Sequence, residues 1–292
     1  MLRPTPLEED KTETLTILAT IQEVLALEVP ARSPRICAFS IGTETDGSIM
    51  FPADRNAVVG IKPTVGLTST MGVIPESPNM DTVGPFGRSV EDATIVLDII
   101  RERRATSDAH DDRLACTSIH DLCPRIYTSW LSKKDALTGA RFGLPWKRVW
   151  EVASKRAEKA LKYNSLMELI DKIEKAGAQV VKIDFPTAEE IIPPDSWDWE
   201  FGAGKTVSML SEFEVVRTEF YRSLRSYLSG LAKNEQKIFS LEDVVAYNVQ
   251  HTTQEGGVPG THPAWPTGQD NFDKCLESKG WPEDVYLTAL EY

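Results

Sequence analysis

Ala140-Arg-Phe-Gly-Leu144 and Ala178-Gln-Val-Val-Lys-Ile-Asp-Phe185 are short apolar runs separated by a stretch long enough for several helical turns. The first predicts a strand. Roughly Glu151 to Ala176 then predicts a long helix, closed by Gly177 just past its last turn, where glycine tolerates the left-handed backbone that ends helices. The second run predicts a strand stopped by Pro186, which has no N–H to give to a ladder. Strand, long helix, strand at that spacing is a β-α-β unit, and an α/β layered architecture follows.

Outward from that unit, residues 205–250 read as further helices and 255–268 as a Gly/Pro-rich loop. On the N-terminal side, 105–125 is polar and loop-like. Ser89-Val-Glu-Asp92 is a capping box, which opens a helix through Ala93, Val96, Leu97 and Ile100 to about Arg104. From Ile36 to Pro85 short apolar runs alternate with Gly and Pro, the texture of strands and loops. Residues 1–34 form an expected helical arm. Within it Thr14–Glu28 carries Leu15, Ile17, Leu18, Ile21, Val24, Leu25 and Leu27 near helical spacing, and Pro30 and Pro34 end it. The expected organisation is thus an arm, 1–34, and one larger domain, 35–292, without internal repeats.

Hydrophobic residues at 41% leave ample material for a core and exclude wholesale disorder. Forty-four acids against 32 basic residues give a formal charge of -12. Such a chain repels phosphate backbones and anionic lipid, so neither nucleic acid nor a membrane surface is expected as a partner. Cys37, Cys116, Cys123 and Cys275 show neither metal-ligand nor disulfide-framework spacing. With no signal-peptide pattern in MLRPTPLEEDK and no run of membrane-span length, a soluble, cytoplasmic protein with reduced thiols is expected.

The chemistry concentrates in Gly42-Thr-Glu-Thr-Asp-Gly-Ser-Ile49, followed by Pro52-Ala53, Val59-Gly-Ile-Lys-Pro-Thr64 and Asp81-Thr-Val-Gly-Pro85. A Gly-flanked serine in a tight turn can present its hydroxyl while successive backbone N–H groups face one cavity. That arrangement stabilises the oxyanion of a tetrahedral intermediate. A Gly-Ser turn alone more often only reverses the chain; the ordered run is what carries weight.

Residues 36–104 closely resemble the amidase signature family, serine hydrolases that cleave carboxamide C–N bonds with a Ser–cis-Ser–Lys triad. Gly42–Ser48 matches the nucleophile motif, and GIKPT, GVIPES and DTVGPFGRSVEDA match the following segments in order. GTETDGS and PTVGLTS look most like the peptide-amidase and general-amidase branch; other branches more often place a second glycine and an arginine where Asp46 and Met50 stand here. Looser resemblance continues through GARFGLP, EKAGAQVVKIDFP, SYLSGL, DVVAYNVQH and GQDNF, so that it spans about five-sixths of the chain. The resemblance implies an α/β/α fold around a mixed sheet. It makes Ser48 the acyl-enzyme nucleophile and the backbone amides of Thr45, Asp46, Gly47 and Ser48 the oxyanion hole. Lys62 falls on a family motif but not on the catalytic lysine, which leaves it a structural role.

The resemblance also implies a base lysine and a cis-serine upstream of the nucleophile, the latter in a Gly/Ser-rich loop. Before Ser48 this chain has Lys11 as its one lysine and Ser33 and Ser40 as its other serines, none in matching sequence. LTILATIQEVLALE faintly resembles the family's first helix, and Tyr292 falls before the family's final segments. An incomplete amidase is therefore expected, acting on small-molecule or peptide amides, without cofactor or metal, and impaired by the loss of its base. The alternative is an inactive amidase-like remnant or binding protein. A third option, an ammonia-supplying amidotransferase-like subunit, is disfavoured by the GTETDGS wording. A sheet lacking strands exposes edges, so a homo-oligomer is among the expected states.

Other candidates carry less. Gly202-Ala-Gly-Lys-Thr206 resembles the tail of a phosphate-binding loop, but Trp199 stands where its first glycine belongs and no strand precedes it. His110, Asp111, Asp112, Cys116, His120 and Cys123 match no zinc spacing. His251 or His262 could join Ser48 in a Ser-His-Asp triad only if the fold brought one to it, and nothing in the sequence does. Trp197, Trp199 and Trp265 read as packing or loop-anchoring aromatics.

Overall fold

The computed structural model describes residues 38–102, 126–132, 134–156, 160–185 and 212–291. The expected arm, the 105–125 loop, its His/Asp/Cys grouping, Gly202–Thr206, Trp197 and Trp199 lie outside them, as do Lys11, Ser33, Cys37, Cys116 and Cys123. By contacts the chain divides into two units, 1–130 with 216–281 and 131–215 with 282–292.

In the first unit, β1 (Phe39–Glu44) leads into α1 (Met50–Asn56), then β2 (Val59–Gly60), β3 (Thr82–Gly87) and α2 (Val90–Ile100). The three strands form one antiparallel sheet in the order β1-β3-β2. β3 is central although it contains Pro85, which cannot donate to a ladder. The register explains this: β2 pairs only at Val59↔Gly87 and Gly60↔Phe86. At the next step Pro85 is needed only as an acceptor, and its carbonyl takes the Ile61 N–H at 3.0 Å. Ile49, Ala53 and Phe86 are buried together beside the sheet, with Val58 packed against them.

Ser89 caps α2 as its sequence predicts: its side chain accepts from Asp92 N, and the Asp92 carboxylate accepts from Ser89 N. The helix ends at Ile100 rather than near Arg104. Arg101 is extended and bridges to Thr68, and the Glu102 N–H goes to Leu67 O, so strand-like pairing takes the backbone that another turn would need.

In the second unit, β4 (Arg141–Pro145) is followed by a π turn (Trp146–Trp150), the short α3 (Glu151–Ser154), α4 (Ala160–Lys175) and β5 (Gln179–Ile183). β4 and β5 pair in parallel from Arg141↔Gln179 to Pro145↔Ile183, the expected β-α-β connection. Gly177 closes α4 with φ +99°, as expected. The single helix expected over 151–176 is instead broken. Lys155 N and Arg156 N reach back only three residues, to Val152 O and Ala153 O, and these tight turns end α3 where cationic side chains suit a helix C-terminus.

Downstream run α5 (Glu212–Ser229), α6 (Leu241–Gln250), the one-turn α7 (Thr252–Glu255), α8 (Asp270–Glu277) and α9 (Glu283–Glu291). In the first unit Phe220, Leu224 and Leu228 of α5 pack with Ile238, Leu241, Val244 and Cys275 as its larger core. The α/β class holds, with antiparallel and parallel pairing in two separate sheets among the described residues. No described helix is long and apolar enough to cross a membrane.

Candidate active site

Ser48 lies where β1 turns into α1, and three local constraints shape that turn. Gly47 has φ +89°, a backbone that L side chains rarely adopt, and its carbonyl accepts Phe51 N–H at 2.7 Å. Ile49 is fully buried and anchors the turn in the core. Glu44, 4% exposed, folds back from the strand end so that Oε2 accepts the N–H groups of Ile49 at 2.7 Å and Met50 at 2.9 Å. Its carboxylate satisfies two donors that a helix start otherwise leaves open, at the end where negative charge is favourable. Pro52 fits that first turn because its missing N–H is not needed there. The result leaves Ser48 half-buried. Among the described residues, none accepts a hydrogen bond from the N–H of Asp46, Gly47 or Ser48.

Thr45, at the other end of the turn, donates its hydroxyl to Asp81 Oδ1 at 2.5 Å. Asp81 Oδ2 accepts the N–H groups of Glu76 and Ser77 at 2.9 and 3.0 Å. Ser77 Oγ in turn donates to Glu219 Oε2 at 2.5 Å, and Asn79 adds its backbone N–H to the same oxygen at 3.3 Å and its side-chain amide to Oε1. Carboxyl groups thus hold the turn at both of its ends, Asp81 at Thr45 and Glu44 at Ile49 and Met50. Burial pushes Glu76 up to about 7, helped by the charges of Asp81 and Asp46 and opposed by the Thr45 hydroxyl. Burial also raises Asp81, against the hydrogen bonds it accepts from Thr45, Ser77 and Glu76. Asp46 is raised by burial and then by the nearby Glu44 charge.

The GTETDGS motif points to this turn, to Ser48 and to the backbone of residues 45–48, but not to the carboxylates that hold it. Glu44 and Asp81 stand inside the GTETDGS and DTVGP motifs, where a charge amid small residues is the available signal; Glu219 gives none, because it meets Ser77 across 142 positions.

The remaining sequence candidates sit elsewhere in their local structure. Lys62 is exposed, with Nζ 3.4 Å from its neighbour's carbonyl, Pro63 O. Ser40 is a β1 residue opposite Phe86. His251, at the end of α6, stacks on Tyr247 with Nδ1 2.9 Å from Tyr247 O, and His262 Nδ1 accepts Ala264 N–H, so each ring is engaged by residues close to it in sequence. Trp265 gives its backbone N–H to His262 O within the 256–269 loop. Cys275 is a buried thiol pushed up to about 12 by burial and then by the nearby Glu76 charge, hence inert. Among the described residues no group of three or more His, Cys, Asp or Glu side chains could hold a metal.

The family model described as Amidase matches residues 33–249. A putative amidase of Schizosaccharomyces pombe is 44% identical over 255 residues, which are 87% of this chain and 41% of that protein. A probable amidase of Arabidopsis thaliana is 32% identical, over 87% of this chain and 39% of its own length. Among solved structures, the native peptide amidase from Stenotrophomonas maltophilia superposes with a TM-score of 0.60 at 28% identity, covering 87% of this chain and 43% of that one. This chain spans about two fifths of the length of the curated relatives it matches.

Proposed function

This chain belongs to the amidase family, and from that premise we propose that it carries an amide-hydrolysing site whose nucleophile is Ser48. The observation that carries this reading is the turn itself. A half-buried serine follows a left-handed glycine at the mouth of a helix, with the N–H groups of Asp46, Gly47 and Ser48 unused among the described residues. Ser48 Oγ would attack the carboxamide carbonyl as its proton passes to a base. The oxygen of the resulting tetrahedral adduct would lie against the backbone N–H groups of 45–48. The adduct would collapse to an ester on Ser48, the leaving amine or ammonia departing with a proton. Water would then add to the ester carbonyl, release the carboxylic acid and return the proton to Ser48. The substrate is read as a small-molecule or peptide amide, the protein as cytoplasmic, and residues 35–292 as part of an amidase domain preceded by an arm, 1–34.

A second reading, a catalytically silent amidase-like protein that binds without turnover, is favoured by one observation: among the described residues none is hydrogen-bonded to the Ser48 hydroxyl. A serine hydroxyl without a base attacks amides poorly. The discriminating experiment is labelling of the folded chain with a fluorophosphonate, mapped by peptide mass and run beside Ser48→Ala. The hydrolase reading expects the label on Ser48 and none on the variant. A folded chain that takes no label sinks it in favour of the silent protein, and label elsewhere sinks the choice of Ser48.

A further inference from the structure

Helix α5 brings Glu219, only 5% exposed, against the 76–81 loop. Three donors converge on its two oxygens: the Ser77 hydroxyl and the Asn79 backbone N–H on Oε2, and Asn79 Nδ2 on Oε1. Ser77 is gripped from two sides at once. Its hydroxyl goes to Glu219, while its backbone N–H goes to Asp81 Oδ2 at 3.0 Å. Its carbonyl also accepts the N–H groups of Met80 at 2.9 Å and Asp81 at 2.7 Å, so the loop closes on itself around Ser77. Asp81 then spends its other oxygen on the Thr45 hydroxyl at 2.5 Å. Thr45 opens the turn that holds Ser48, and Glu44 fixes the far end of that turn at Ile49 and Met50.

We infer that Glu219 is a positioning residue for the Ser48 turn, acting through Ser77, Asp81 and Thr45; its catalytic relevance rests on the reading of Ser48 as the reacting group. The turn is clamped at both ends by buried carboxylates. One is local, at the end of β1, and the other chain of contacts begins on α5. Loops without such support sample several conformations, and an alignment error of about 1 Å at a reacting group can cost on the order of a hundredfold in rate. Charge-assisted hydrogen bonds to a buried carboxylate are the strong kind, short and directional, which suits a relay that must hold a backbone turn. The chemistry of the site also explains why a carboxylate is needed at 219. These three groups are all donors, and a side-chain amide offers one acceptor oxygen while aiming its own NH₂ at the rest.

The test is Glu219→Gln, with Arg225→Gln on the exposed face of the same helix as control. Backbone amide resonances, thermal unfolding and the rate of fluorophosphonate acylation are measured on the full chain. We expect E219Q to shift the amides of Thr45 to Ile49 together with those of the 76–81 loop, and R225Q to leave both sets in place. Acylation of Ser48 in E219Q should slow roughly ten- to a hundredfold. If E219Q moves the 76–81 amides and leaves those of Thr45–Ile49 where they were, the positioning role is overturned. Should E219Q fail to fold, Ser77→Ala removes the same link from the loop side and is read by the same amides. A wild-type chain that resists acylation would overturn only the reading of Ser48, since the amide shifts report the clamp without any chemistry.

Discussion

Gly47 concentrates the backbone cost of the site at one residue. At φ +89° an L side chain is strained, and a Cβ there would lie 2.5 Å from the Phe51 ring. The two penalties differ in kind. Phe51 is exposed and its ring can swing into solvent, whereas the dihedral angle is fixed by Glu44 on one side and the buried Ile49 on the other. Gly47→Ala is therefore expected to lose about 1–2 kcal/mol of stability through the backbone alone. Urea unfolding of G47A and of the double variant G47A/F51A separates the two. If removing the ring recovers most of the loss, steric contact rather than strain was the cause. The tight turn at Gly47 and Ser48 was legible in GTETDGS, because local backbone geometry is written in local residues. Glu219 was not, because hydrogen bonds across 142 positions leave no mark on nearby sequence.

The helices show the same division at the next scale. α2 is specified by its own first turn: Ser89 and Asp92 satisfy each other's backbone donors, and Glu91 and Asp92 add charge where the helix dipole favours it. Ser89→Ala should cost about 1 kcal/mol, read as a lower urea midpoint at unchanged slope; an unchanged midpoint would mean that packing of Ala93, Val96 and Leu97 alone sets this helix. The capping box and the Gly177 stop were legible because they are local devices. The short α1 was not. Its sequence, Met50-Phe-Pro-Ala-Asp-Arg-Asn56, has no capping side chain at Ile49, and the acceptor that serves its first donors is Glu44, on the preceding strand. The far end of α2 stops short of Arg104 for a related reason, since Thr68 takes Arg101 into strand pairing. Helix boundaries set by another segment are invisible to periodicity.

At the scale of the whole molecule, a chain of formal charge -12 folds the carboxyl groups of Glu76 and Asp81 largely out of water near the turn that Thr45 opens, and this couples its stability to pH. Glu76 goes from an ordinary value of 4.5 to about 7 in the folded protein, chiefly through burial. A carboxyl group raised on folding prefers to keep its proton in the native state. Between pH 4.5 and 7 the unfolded chain has released a proton that the folded chain still holds, so unfolding becomes easier as pH rises. The contribution of Glu76 is thus fully present below pH 4.5 and lost as pH climbs through about 7, and the raised Asp81 and Asp46 act in the same direction. Glu242 works the other way: hydrogen-bonded to Lys279 it is lowered to about 2, so its contribution is present above pH 4.5 and lost as pH falls towards 2. Over pH 4.5–7 the contribution of Glu76 changes while that of Glu242 is already fully present. Glu76→Gln keeps the shape of the side chain and removes the titration. The difference in unfolding free energy between wild type and E76Q should therefore move in favour of E76Q by ~2 kcal/mol between pH 4.5 and 7.5, a figure discounted for the partial exposure of the group. Urea titrations at those two pH values supply the comparison. A difference that stays flat would mean that Glu76 takes up its proton alike in the folded and the unfolded chain, the hydroxyl of Thr45 offsetting the cost of burial.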